Sequence, residues 1–287
     1  MKRLILALSA CASISTFAES INPFNMAYVE VNDHKLSNVG CYIRADNGAN
    51  FFHMVSIFAA NINGKDPNQP VIYFNPQVDT LLNHTNQVDV LQKKGIKVLL
   101  TLLGNHENAG WACMTDVNAI QRFADEIVKT VNYYHLDGID IDDEYSRCAT
   151  NFTSMIKLTK AIKNHPGFKG KILSKALFSD RAYFEATDNG DKLADFLDYG
   201  WEMSYSYRDY ANRLNQYTKL GMKKENLALG VSVNGFGNAN AEATFIMKNN
   251  FGGVMVYNVG NNSQNYLSSI SNVEYGTNVQ AIPNCLG

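Results

Sequence analysis

The sequence has no excess of charge of either sign. Its 25 basic residues stand against 27 acidic ones, a formal charge of -2 with no dense Lys/Arg run, so nothing favours a polyanionic partner and nucleic-acid binding is not expected. No Gly-x-Gly-x-x-Gly follows the first strand-like run and no Gly-x-x-x-x-Gly-Lys-Ser/Thr loop occurs, which removes the usual sequence support for a nucleotide cofactor. A Gly-x-Ser-x-Gly elbow is also missing, and with it the serine esterase reading. The five cysteines lie too far apart for a zinc template, so neither a metal nor any other cofactor is expected. Tryptophan is scarce, with only Trp111 and Trp201. There is no shortage of core material: 46% of the 287 residues are hydrophobic and 11% aromatic, enough for a globular chain and against a disordered one.

The N-terminal residues read as a targeting segment. Met1-Lys2-Arg3 precede an apolar stretch from Leu4 to Ala10 and then small residues. This is the layout of a secretory signal through Ala18, and the stretch is too short to span a bilayer. Two exits compete: cleavage after Ala18, or lipidation of Cys11 within Leu8-Ser9-Ala10-Cys11. The protein is therefore expected to be secreted or periplasmic and monomeric. Membrane contact is expected only through a lipid on Cys11, and the catalytic domain would run over residues 19–287. Without Cys11, four cysteines remain for an oxidising compartment, an even number that allows three connectivities. Cys113 and Cys148 follow neighbouring strands on one rim and are read as one pair. Cys41 and Cys285, near the two chain ends, form the other by elimination. Four free thiols are the alternative.

Eight strand-like runs alternate with helical patterns: 26–31, 54–62, 97–104, 138–143, 172–178, 199–205, 227–233 and 253–259. The clearest helical stretch is 115–135, where Ile120, Phe123, Ala124, Ile127, Val128 and Val131 recur at three- and four-residue steps behind a Thr115 cap. Gly95 and Gly221 stand where helices should stop. Eight strand-then-helix units without a composition break argue for a single-domain (β/α)8 barrel, with a doubly wound open sheet as the other α/β possibility. Barrel chemistry sits at the C-terminal ends of the strands.

The fourth run, Leu136-Asp137-Gly138-Ile139-Asp140-Ile141-Asp142-Asp143-Glu144-Tyr145, carries the sharpest signal. Strand side chains alternate, so Asp140, Asp142 and Glu144 share the face opposite Ile139 and Ile141 and point into the barrel. Three adjacent carboxyls in a dry interior cannot all ionise, so at least one pKa is raised and a proton is shared, the condition for a general acid. A solvated acidic loop would not interleave isoleucines at period two. An EF-hand would need a different spacing.

Asp137-Gly138-x-Asp140-x-Asp142-x-Glu144 resembles the signature of family 18 glycoside hydrolases. Further segments, among them 27–32, 57–63, 95–106 and 142–145, resemble the endo-β-N-acetylglucosaminidase branch of that family. The likeness runs from about Ala27 to Tyr266 and is thinner after Tyr145. It implies hydrolysis of the bond between the two core N-acetylglucosamines of an N-linked glycan on a glycoprotein, with high-mannose glycans the expected class. In such enzymes the substrate's own acetamido oxygen is the nucleophile. On that pattern Glu144 is the acid/base, Asp142 orients the acetamide, and Asp140 shares a proton with Asp142. Met203-Ser204-Tyr205-Ser206 matches a second element, in which Tyr205 donates to the acetamide oxygen, although Ser206 departs from the usual acid or amide. Thr101-Leu102-Leu103-Gly104 also departs from the family's Ser-x-Gly-Gly. Tyr257-Asn258 stands where chitinases carry a tryptophan, which favours the glycan-releasing branch. A chitinase and a catalytically retired glycan-binding lectin are the alternatives. Phe58, Trp111, Trp201 and Tyr257 are candidate sugar platforms, and Asn105, Glu202 and Asn258 candidate hydroxyl partners.

Overall fold

A computed structural model describes residues 23–287; the predicted signal segment and Cys11 lie outside the described residues. Eight parallel strands close into a barrel: β1 (Phe24–Glu30), β2 (Met54–Asn63), β3 (Lys97–Gly104), β4 (Gly138–Asp142), β5 (Ile172–Leu177), β6 (Tyr199–Glu202), β7 (Leu227–Ser232) and β8 (Gly253–Tyr257). Each strand pairs with its successor, and β1 closes the ring through Val29 opposite Ile57 on one side and Ala27 opposite Val256 on the other. Closure excludes the open doubly wound sheet.

The helices α1 (Pro76–His84), α2 (Gln87–Lys93), α3 (Val117–Tyr133), α4 (Phe152–Asn164), α5 (Arg181–Glu185), α6 (Tyr210–Lys219), α7 (Ala239–Asn249) and α8 (Gln264–Tyr275) surround it. The strand Val71–Tyr73 pairs antiparallel with β2, and Tyr42–Arg44 pairs with Val279–Ala281.

The period-two alternation creates two cores. Outward-facing Val29, Ile57, Val98, Leu100, Ile139 and Ile141 join the stripe of α3 formed by Ile120, Phe123, Ala124, Ile127, Val128 and Val131 in one outer cluster. Inward-facing Met26, Tyr28, Met54, Leu99, Trp201, Ala228 and Met255 fill the barrel itself. Burying a Leu, Ile or Phe side chain contributes roughly 1.5–3 kcal/mol, so both clusters favour the same closed arrangement.

The cap of α3 differs from expectation. Asp116, not Thr115, accepts from the backbone N–H of Asn118, while Thr115 lies one residue outside and is tied to Asn68. Gly95 and Gly221 do end their helices in the left-handed region, at φ 80° and 117°. Strands β4 to β8 stop one to three residues before the apolar runs do. In β6 the ladder ends at Glu202, and Tyr205 therefore sits in the turn beyond it.

Two disulfides close the covalent frame. Cys41 is bonded to Cys285, the pair expected by elimination, and Cys113 to Cys148, as the strand order predicts. The second spans the segments that follow β3 and β4 and so ties down the rim beside the acidic strand.

Candidate active site

Asp140 sits at mid-height in the barrel and is completely buried. Its Oδ2 accepts from the Tyr28 hydroxyl at 2.6 Å and Thr101 at 2.9 Å, and its Oδ1 from Ser174 at 2.5 Å and Trp201 Nε1 at 3.0 Å. Strand register puts Thr101 and Ser174 on either side of it. Burial pushes the Asp140 pKa up and the four donors oppose that shift. All four of these bonds go to residues of other strands, and Asp140 makes none with Asp142.

Asp142 is the next inward residue and is 3% exposed. Its Oδ1 accepts from the backbone N–H of Glu144 at 3.2 Å. Burial and then the neighbouring charge of Glu144 raise its pKa to about 8. Glu144 lies just past the end of β4 and is half-buried. Its pKa is raised by burial and by Asp143, and Lys175 works against both. Burial and a neighbouring carboxylate thus push each of Asp142 and Glu144 toward its protonated form.

The backbone around the acid is held closely. Gly104 at the end of β3 donates to the carbonyl of Glu144 at 3.1 Å, and His106 N–H donates to that of Tyr145 at 2.8 Å. A Cβ at position 104 would meet the Glu144 carbonyl oxygen and the Ser146 hydroxyl, so only glycine lets the two strand exits approach this closely.

Above Asp142 opens a cavity of about 320 Å³ lined by Tyr28, Glu30, Phe58, Leu103, Asp142, Glu144, Tyr145, Ala176, Met203, Tyr205 and Tyr257. That volume accepts a sugar residue. Tyr205 stays a neutral phenol, its pKa raised by burial first and then by Asp142 and Glu144. Glu30, the other carboxylate on this wall, is occupied: the Tyr257 hydroxyl and Asn258 Nδ2 donate to it. Beside this cavity, sharing Met203, Tyr205 and Tyr257, runs a groove of about 500 Å³ whose far wall includes Phe178, Tyr207 and Phe236, each 50–57% exposed.

The structure thus gathers Asp142, Glu144, Tyr205, Phe58 and Tyr257 around one cavity, with Asp140 beneath. It separates the remaining predicted contacts from that cavity. Trp201 is fully buried, donates to Asp140 and stacks on Tyr199, with ring centroids 5.4 Å apart. Trp111 is 1% exposed and donates to the Leu102 carbonyl in the outer core. Neither ring has a face open to a sugar. Glu202, 1% exposed, is paired with Arg213, since an isolated carboxylate at that depth would be costly. Asn258 is buried against Glu30, and Asn105, on the β3 rim outside the cavity lining, donates to Asn63 at 2.8 Å.

Tyr28, Thr101, Ser174, Glu30, Phe178, Tyr207 and Phe236 are contributors that the sequence reading missed. For the first three the signal was the shared inward parity of their strands, but it becomes specific only once the register is known.

Comparison with known proteins agrees with this geometry. The family described as Glycosyl hydrolases family 18 matches residues 18–245. An endo-β-N-acetylglucosaminidase from Flavobacterium sp. (strain SK1022) is 41% identical over 192 residues, 64% of this chain and 59% of the relative. The chain thus spans well under two thirds of that protein's length. Endo-β-N-acetylglucosaminidase F1 of Elizabethkingia meningoseptica is 29% identical over 255 residues, covering 84% of this chain and 73% of the relative. Among solved structures, EndoBT-3987 of Bacteroides thetaiotaomicron, in complex with Man9GlcNAc2Asn, superposes with a TM-score of 0.74 at 25% identity, over 92% of this chain and 68% of the other. With its acidic β4 signature, its closed barrel and a family match across most of its length, the chain belongs to family 18 of the glycosyl hydrolases.

Proposed function

We propose that the protein is an endo-β-N-acetylglucosaminidase that cuts between the two core N-acetylglucosamines of high-mannose N-glycans, with retention of configuration. The observation that carries this reading is the graded stack on β4: Asp140 satisfied by four donors, Asp142 buried above it with its pKa raised by burial and by Glu144, and Glu144 half-buried at the rim of a cavity that accepts a sugar residue.

Substrate-assisted hydrolysis needs one acid/base and a group to manage the acetamide, but no carboxylate at nucleophile distance. Glu144 donates its proton to the glycosidic oxygen as the acetamido oxygen attacks C1, and the peptide-linked N-acetylglucosamine departs. In the reactive form the proton of the Asp142–Glu144 pair is on Glu144, and the Asp142 carboxylate accepts the acetamide N–H and stabilises the cationic ring that forms, while the neutral Tyr205 hydroxyl donates to the acetamide oxygen. Ionised Glu144 then takes a proton from the water that opens the ring at C1, which restores the acid. Glu30, tied to Tyr257 and Asn258, stays outside this cycle and shapes the cavity wall.

The chitinase alternative is less well supported. Among the described residues both tryptophans are buried, so no exposed tryptophan paves a long groove. The two relatives compared above are both endo-β-N-acetylglucosaminidases by name. The two disulfides support export to an oxidising compartment.

The test is a direct comparison of a high-mannose glycoprotein with a chitin oligomer, both followed by mass spectrometry. The expected result is release of the glycan with one N-acetylglucosamine left on asparagine, and slow or absent chitin cleavage. Comparable specificity constants for the two substrates would overturn it.

A further inference from the structure

Asp143 lies between the two site carboxylates in sequence but leaves the strand end on the other side. There it meets Lys175, on the outward parity of β5, since Ser174 is bonded to Asp140 inside the barrel and Ala176 lines the cavity. The Lys175 side chain has no solvent exposure at all. Its ammonium donates to Asp143 Oδ1 at 2.5 Å, Asp180 Oδ2 at 2.9 Å and the Ala176 carbonyl at 2.9 Å. Asp180 Oδ2 also accepts from Phe178 N–H at 3.0 Å, so the carboxylate that holds the lysine also shapes the exit of β5. The Tyr183 ring of α5 covers the ammonium, 5.6 Å from its centroid.

A buried ammonium is tolerated only when paired and fully hydrogen-bonded. Lys175 has three partners for its three donors. A purely structural site could have used apolar residues here at no loss of stability, which makes the position of this cluster, one residue from the acid, informative. We propose that Lys175 is a positioning residue for glycan hydrolysis: its ion cluster with Asp143 and Asp180 anchors the exit of β4 so that Glu144 turns into the cavity, and its charge offsets that of Asp143 beside the acid. This rests on the assignment of Glu144 as the acid.

The charged and titratable groups facing Glu144 are Asp142, Asp143 and Tyr145 on its own segment, Lys175 from β5, Tyr205 from the turn after β6, Tyr28 and Glu30 of β1 and Tyr257 of β8 across the cavity, and His106 on the β3 loop, whose ring packs 5.1 Å from that of Tyr145. Within this set Asp143 raises the affinity of Glu144 for its proton and Lys175 lowers it. Removing either charge should therefore move the alkaline limb of the pH–rate profile in opposite directions, whereas lost packing would lower the rate at every pH and leave the limb in place.

The experiment measures kcat and KM against pH on a high-mannose glycopeptide for wild type, Asp143→Asn, Lys175→Met and Lys175→Arg, with thermal unfolding alongside. Expected are a limb about half a unit to one unit lower in Asp143→Asn and higher by a similar amount in Lys175→Met, the scale of one nearby charge. The loss should fall on kcat, with KM within a few-fold of wild type, and Lys175→Arg should restore the wild-type limb. Limbs that stay put, or move the same way, in folded variants overturn the proposal. Where Lys175→Met does not fold, Asp143→Asn decides alone, and a limb that fails to fall overturns it. Glu144→Gln is run in parallel: if it keeps wild-type turnover, the assignment of the acid has failed, independently of Lys175.

Discussion

Asp142→Asn is expected to make the protein more stable while making it a poorer hydrolase, with a pH dependence that identifies the cause. An unfolded aspartate titrates near ~3.9, whereas the folded Asp142, 3% exposed, holds its proton to about 8. Between those values the native state binds a proton that the unfolded chain has released. Stability contributed by the neutral acid is therefore complete below pH ~4, falls as pH rises through the window, and levels off above about 8. At pH 7 about three units have been crossed at ~1.4 kcal/mol each, a cost on the order of 4 kcal/mol. Asparagine keeps an oxygen for the Glu144 N–H and carries no charge to desolvate, so it avoids this cost.

For a chain of this size, with roughly 2 °C of Tm per kcal/mol, the variant should melt several degrees above wild type at pH 7–8 and level with it near pH 4. Asp140, Glu242 and Glu274, which burial also raises, are common to both proteins and cancel in the difference. Circular-dichroism melts from pH 4 to 9 with the disulfides intact provide the comparison. Parallel curves separated by a constant offset would refute the argument, because a packing change has no reason to follow the titration of one carboxyl.

Glu144→Gln should fold and bind glycan but lose about 10²- to 10⁴-fold in turnover, the usual contribution of a general acid; calorimetric affinity and single-turnover rates separate the two effects. Asp142→Asn should impair hydrolysis of an intact glycan more than transfer from a preformed sugar oxazoline, and equal losses with both donors would contradict its role in forming that ring. Gly104→Ala places a methyl against the Glu144 carbonyl and the Ser146 hydroxyl, so it should lower kcat at least tenfold, in proportion to the displacement of the acid, with a detectable fall in Tm. Opening the Cys113–Cys148 bridge with Cys113→Ser and Cys148→Ser frees a loop with a sequence separation of 35, worth about 3–4 kcal/mol in the chain-entropy account, to be read from denaturant midpoints.

Much of this molecule was legible from local pattern. Alternation of Ile139 and Ile141 with Asp140, Asp142 and Glu144 specified a strand with an acidic inner face, because side-chain parity is a property of the backbone alone. The α3 stripe and the glycines at 95 and 221 announced a helix and two helix ends for equally local reasons. What local pattern could not weigh was depth. Trp201 and Phe58 are both aromatic residues on inward parity, but Trp201 lies level with Asp140 and donates to it, whereas Phe58 lies one layer higher and meets the cavity.

Partners were equally out of reach. The pattern on β4 named Asp142 as the group beside Asp140, but gave no sign of the four donors that register and closure bring to it, Thr101 and Ser174 at its sides and Tyr28 and Trp201 across the barrel. Glu202 and Asn258 met the same outcome when Arg213 and Glu30 reached them. The sequence by itself determined which residues could carry the chemistry, since composition and period two are written along the chain. Only the tertiary structure decided which of them face the cavity and which are satisfied by another side chain, because burial and hydrogen-bond partnership depend on residues brought together from distant strands.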